Sequence, residues 1–201
     1  MLDEILDEGL VAHLGICSED GQPIVIPTLH ARAGDVVYCH GSAASRTLRA
    51  IAAGAPACLT VTLLDGLVLA RSVMHHSANY RSAMILATAR EITQEQEKRT
   101  ALRAIVEHIV PGRWEHARSP TENELRATSV LALPIDEFSA KVRTGGPADD
   151  EEDYALDYWA GVIPLDTVPR SPQPDARLRE GTAIPSHAAS YARPGSPLPR
   201  R

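Results

Sequence analysis

A chain of 201 residues, 44% of them apolar, can bury one real core as a single domain with extensions. Its net charge of −6 argues against a general nucleic-acid binder, and its three cysteines, without a CxxC pair, read as buried thiols of a reducing compartment. The acidic start MLDEILDEGL is no secretory signal and no apolar run reaches a membrane span, so the expected location is the cytoplasm.

Residues 2–8 can form a short helix. Residues 10–17 (LVAHLGIC) read as a strand, and Ser18-Glu19-Asp20-Gly21 is a strong turn. The next strand, 23–32, holds Pro27, which marks an edge, a bulge or a backbone facing a ligand. A turn at 33–35 leads into strand 36–40. Helix-period residues Ala44, Leu48, Ile51 and Ala52 follow, closed by Gly54. Further strands are predicted at 57–63, at 67–74 after a Leu64-Asp65-Gly66 turn, and at 80–92. A polar helix over 94–110 is anchored by Leu102, Ile105, Val106 and Ile109 and stopped by Pro111-Gly112. A short helix at 121–127 precedes a last hairpin, 130–133 and 138–142. Short strands, tight turns and few helices point to an antiparallel barrel or sandwich. After residue 144 come an acidic run (148–153), an apolar patch (158–164) and a segment rich in Pro, Ser and Arg without periodicity. The expected organisation is one domain over 1–165 and a disordered Pro/Arg-rich tail over 166–201.

The strand–helix junction VVYCHGSAASRTLRAI poses an electrostatic problem. Ser42 is a natural helix N-cap, with Ser45 at N3, so Arg46 and Arg49 fall at the positive end of the helix dipole. An exposed surface tolerates that misfit at about 0.3–1 kcal/mol. Free amides, two hydroxyls and arginines converging there would also suit a phosphate, with Gly41 admitting a close ligand. Both readings stay open on these residues alone. Downstream, alternation puts Tyr80 and Ser82 on one face with Met84 and Leu86, and Arg81 on the other. An inward Tyr-x-Ser pair could bond a polar ligand edge; a polar barrel rim explains it equally well. His75-His76, His108 and His116 have no zinc-type partners in their spacing and read as structural or exposed. His40 ends a strand beside the anion-type junction, where it could bond a phosphate or ligate a haem iron. No Ser-His-Asp or Cys-His arrangement is indicated.

Taken in order, PIVIPTLHARAGDVVYCHGSAASRTLRAI, HHSANYRSAMILATAREI and KVRTGG…DYWAGVIPL resemble the FMN-binding split-barrel superfamily. The similarity is to its pyridoxamine 5'-phosphate oxidase-like branch, which includes nitroimidazole-reductase-like proteins, and it covers about residues 2–165. The resemblance implies a six-stranded antiparallel split β-barrel with flanking helices. It also implies a homodimer with FMN at the subunit interface. Ile26, Pro27 and Thr28 would line the isoalloxazine, and His40, Gly41, Ser42, Ser45 and Arg46 would hold the phosphate. Tyr80, Arg81 and Ser82 match a second cofactor-contacting strand, and Trp159 a C-terminal piece near the flavin. The substrate-binding Arg and His of true pyridoxamine 5'-phosphate oxidases have no counterpart near the C-terminus, which argues against vitamin B6 oxidation. The wider group also includes haem binders and deazaflavin-coenzyme reductases. The expected function is an FMN-dependent oxidoreductase acting on a small molecule, with no metal ion and no single catalytic residue, since flavin brings its own chemistry. A non-catalytic flavin or haem carrier or sensor is the alternative, and a tail that recruits a protein partner ranks last.

Overall fold

Strand β1 (Val11–Cys17) shows the rule that builds the fold: Ala12, Leu14 and Ile16 are buried while their neighbours face out. The computed structural model describes residues 1–193. Eight further strands follow: β2 (Pro23–Ala33), β3 (Val36–Ser42), β4 (Pro56–Leu69), β5 (Ser77–Thr88), β6 (Arg90–Glu91), β7 (Thr128–Pro134), β8 (Glu137–Arg143) and β9 (Gly161–Pro164). All pairings are antiparallel, in the order β6-β7-β3-β2-β1-β4-β5-β8, and β9 joins β4 off this path. The sheet curls into a half-barrel with a few helices, a split-barrel fold of nine strands rather than six.

Its inner face carries Val37, Leu59, Val61, Ile85, Leu131 and Leu133, all buried. Helix α1 (Leu2–Glu8) adds Ile5 and Leu6 to that core, and α2 (Arg46–Ala52) adds Leu48 and Ile51. Each such side chain contributes on the order of 1.5–3 kcal/mol by leaving water. A second cluster, Ile92, Ala101, Val130 and Ala132, lies under α3 (Glu95–Ile109). Helix α4 (Glu122–Ala127) starts with a reciprocal capping box between Thr121 and Glu124.

Further expectations change. Leu64-Asp65-Gly66 does not turn the chain. β4 runs through it with an irregularity between Leu64 and Gly66, because β9 pairs with β4 from Gly66 onward. A Cβ on Gly66 would lie 3.1 Å from Ile163 O, so the turn-like residue serves a close strand contact. Nor are all three thiols buried: Cys39 is, with its pKa pushed up to about 12 by burial, but Cys58 is half-buried and Cys17 exposed.

Among the described residues no helix is long and apolar enough to cross a membrane. Residues 166–193 are mostly exposed and carry one short helix, α5 (Ser186–Ala189). The expected disordered tail extends to 201, and its last part, 194–201, lies outside the described residues.

Candidate functional site

The first part of β2, from Pro23 to Leu29, pairs with the whole of β1, opposite Cys17 to Val11. Its ladder to β3 stops at His30 opposite Cys39, while β3 continues against β7 to Ser42. A split therefore opens between residues 23–29 of β2 and 40–42 of β3. Pro27, with no N–H, cannot extend a ladder there. Thr28 stands at the mouth, its hydroxyl 3.1 Å from Leu29 O and 3.5 Å from His40 O. Ile26 packs against the core, and Pro27 faces outward. His40 is half-buried: its Nδ1 is out of contact with solvent and has no hydrogen-bond partner, and burial lowers its pKa.

The helix at the foot of the split begins later than its sequence suggests. Ser45, not Ser42, is the N-cap, accepting from Leu48 N at 3.4 Å, and Ser42 Oγ instead accepts from Ala44 N at 3.2 Å within the preceding turn. Arg46 is thus the first helical residue, and the first turn holds no acid. Arg46 and Arg49 line a cavity of about 580 Å³ shared with the β1–β2 turn. There Asp20 faces Arg46. Its carboxyl is held below its ordinary value, first by the Ser18 hydroxyl and in smaller part by Arg46. Gly41 has a packing reason as well: a Cβ would fall 2.7 Å from Leu48 Cδ1. Its smallness seats α2 on β3, a role the sequence had given to a ligand.

The second expected group lies elsewhere. The outer face of β5 carries Tyr80, Ser82, Met84 and Leu86, the last two exposed, so the Tyr-x-Ser pair points outward rather than inward. Inward-facing Arg81 donates to Asp65 (2.9 and 2.7 Å) and to Glu8 (2.9 Å), and these two carboxylates drive its pKa further up. The Tyr80 ring lies 5.6 Å from Lys141 Nζ. From β2 to β5 are three strand steps of about 4.8 Å, roughly 14 Å. Trp159 is 70% exposed and lies over Gly161, at the start of β9. One chain thus gathers Thr28, His40, Gly41, Ser42, Ser45 and Arg46, and leaves Tyr80, Arg81, Ser82 and Trp159 apart from them.

Sequence reasoning set aside the His75-His76 pair for want of zinc-type spacing. His76 Nδ1 lies 3.0 Å from Ser72 O; a carbonyl only accepts, so the proton sits on Nδ1 and Nε2 keeps its lone pair. His75 Nδ1 lies 3.7 Å from Asp149 Oδ1. Asp149, whose side chain is out of contact with solvent, accepts from the Arg71 and Ser72 amides and from the Arg71 guanidinium. Burial would raise its pKa, but those donors outweigh it and hold it low. His75, Asp150 and Asp153 also bring one ligand atom each within 4.8 Å of one another. The HH dipeptide at the foot of β5 was the available signal; Asp149, distant in sequence, left none.

Residues 1–142 match the family model described as pyridoxamine 5'-phosphate oxidase. The chain belongs to that family, in its branch of flavin-binding split barrels. It is similar to the flavocytochrome Anf3 from Azotobacter vinelandii, with 46% identity and a TM-score of 0.85 over 92% of this chain and 85% of that one. It is similar also to the FAD and haem binding protein from Mycobacterium smegmatis, with 41% identity and a TM-score of 0.88 over 92% and 91%. A proposed 5-nitroimidazole antibiotic resistance protein from Bacteroides thetaiotaomicron shares the fold at 23% identity and a TM-score of 0.59, over 69% and 80%. No curated protein matches the chain.

Proposed function

We propose that this family member is a flavin-dependent redox protein that also holds a haem. The observation that carries this reading is its 46% and 41% identity, over 92% of its length, to a flavocytochrome and an FAD and haem binding protein. The flavin belongs at the β2–β3 split. There Arg46 and Arg49 make no side-chain hydrogen bond among the described residues and could meet a phosphate, and the unpartnered His40 Nδ1 and the Thr28 hydroxyl could meet the ring system. The Mycobacterium smegmatis relative, an FAD and haem binding protein, favours FAD over the FMN that the family resemblance implies.

The iron would fall to His76, whose Nδ1–H is held by a carbonyl while Nε2 stays free, beside Val73 and Met74, each 83% exposed. His40 is the alternative ligand. A bound flavin would supply hydride and single-electron transfer, and a haem single-electron transfer. The chain's own part is to hold, orient and charge-balance them. A homodimer belongs to the same proposal. The outer sheet face exposes Val11, Val25, Leu29, Leu64, Met84 and Leu86, and a second copy there could bring its β5 toward the split across the 14 Å gap, about three strand spacings.

Titrating FMN, FAD, a deazaflavin coenzyme and haem into the purified protein tests this reading, with flavin fluorescence and the Soret band as signals. Uptake of FAD and of haem, the latter lost in His76→Ala, is expected; uptake of neither group would overturn it. NADH or NADPH oxidation by the loaded protein would mark an oxidoreductase acting on a small molecule. Stable binding without turnover would mark a carrier or sensor.

A further inference from the structure

The C-terminal segment is tied to the body at three separated points. Leu165 N donates to Asp65 O at 3.0 Å, at the irregularity in β4. His187, in α5, lies against Gly112, where an added Cβ would be 3.5 Å from its own Cβ, and its ring centroid is 4.7 Å from that of His116. Arg193 Nη2 donates to Glu8 O at 2.8 Å, at the end of α1. Between the first and last tethers lies a cavity of about 580 Å³, with Glu8, Asp65 and Arg81 in its wall and Leu165, Asp166, Thr167 and Arg193 over it. The segment is therefore part of a binding-sized enclosure.

We propose that residues 165–193 form a strap closing this cavity, and that the His116–His187 contact makes the strap release in acid. Both ring nitrogens of His187 are out of contact with solvent and have no hydrogen-bond partner, so nothing is placed to receive the proton of a charged ring. The His116 Nδ1–H donates to Gly112 O at 2.9 Å, which fixes the neutral tautomer there. The charged groups acting on His187 are His116, Arg113 and Glu107. Protonating both imidazoles would set two cations in ring contact beside Arg113. Only Glu107 opposes them, and its carboxylate already accepts from the Gly112 and Trp114 amides. Burial first, then His116 and Arg113, lowers the His187 pKa. A depressed histidine favours docking above its ordinary pKa of about 6.5, and the preference is lost as pH falls below it.

Hydrogen exchange of the full chain at about pH 8 and about pH 5.5, corrected for intrinsic rates, tests the strap. Amides of 186–193 should lose protection on the order of tenfold in acid while those of β4 stay protected. His187→Phe keeps the ring and removes the titration, so its strap should be equally protected at both pH values. Arg193→Ala should weaken protection at both pH values and keep the acid ratio. Three results would overturn the proposal: equal protection of the parent strap at both pH values, acid release persisting in His187→Phe, or simultaneous loss of protection in β4 and the strap.

Discussion

Around the end of α1 the carbonyls and carboxylates find partners within the chain, although His30 Nδ1 and Arg193 Nε do not; at the β2–β3 split an imidazole nitrogen and two guanidiniums go without among the described residues. Leu6 O accepts from His30 Nε2 at 3.0 Å, Gly9 O from His108 Nε2 at 2.7 Å and Glu8 O from Arg193, while the Glu8 and Asp65 carboxylates share Arg81. At the split, the His40 Nδ1 lacks a partner, and among the described residues Arg46 and Arg49 make no side-chain hydrogen bond. Satisfied charge stabilises a fold, whereas open valence at a cleft marks where a ligand would be welcome. Arg81 therefore clamps α1 to β4 and β5, whereas Arg46 is the residue proposed above to meet a phosphate.

Four stability measurements can break or sharpen this contrast. The largest effect belongs to acid at the α1 end. Burial first, then His108, lowers the His30 pKa to about 4. Its neutral form is therefore the folded one. That stability is complete above about pH 6.5 and declines toward pH 4, roughly 3 kcal/mol in all, readable as urea midpoints against pH. A flat profile would mean that His30 is not held neutral. Next, Arg81→Ala should cost about 2–3 kcal/mol by leaving Glu8 and Asp65 unpaired, discounted because the cluster is partly exposed. A loss under about 0.5 kcal/mol would erase the clamp. Gly41→Ala should cost about 1 kcal/mol in thermal unfolding, since Leu48 must move to admit the Cβ. Arg46→Ala should change stability by less than about 0.5 kcal/mol, and a larger loss would show that Asp20 and Arg46 form a structural pair.

The fold was largely readable from the residues because strand alternation and turn chemistry are local. β1, α1, α3 and α4 fall within a residue or so of their predicted bounds. Misreadings arose where a distant segment decided the outcome. β9 turned an Asp-Gly turn into strand, and the turn at Ala43 and Ala44 shifted the α2 cap from Ser42 to Ser45. In the site, the split residues from Thr28 to Arg46 are neighbours in space because β2 and β3 are neighbours in sequence. Arg81 misled: its two carboxylates, Glu8 and Asp65, come from other elements, and no periodicity signals them.

Flavin affinity of Arg46→Ala beside the parent protein tests the placement of the ligand most directly. If Arg46 meets the phosphate through a charge-assisted bond, its loss should weaken binding by about 1.5–3 kcal/mol, on the order of 10- to 150-fold, with stability unchanged. Equal affinity in the two proteins would contradict a flavin phosphate at the β2–β3 split.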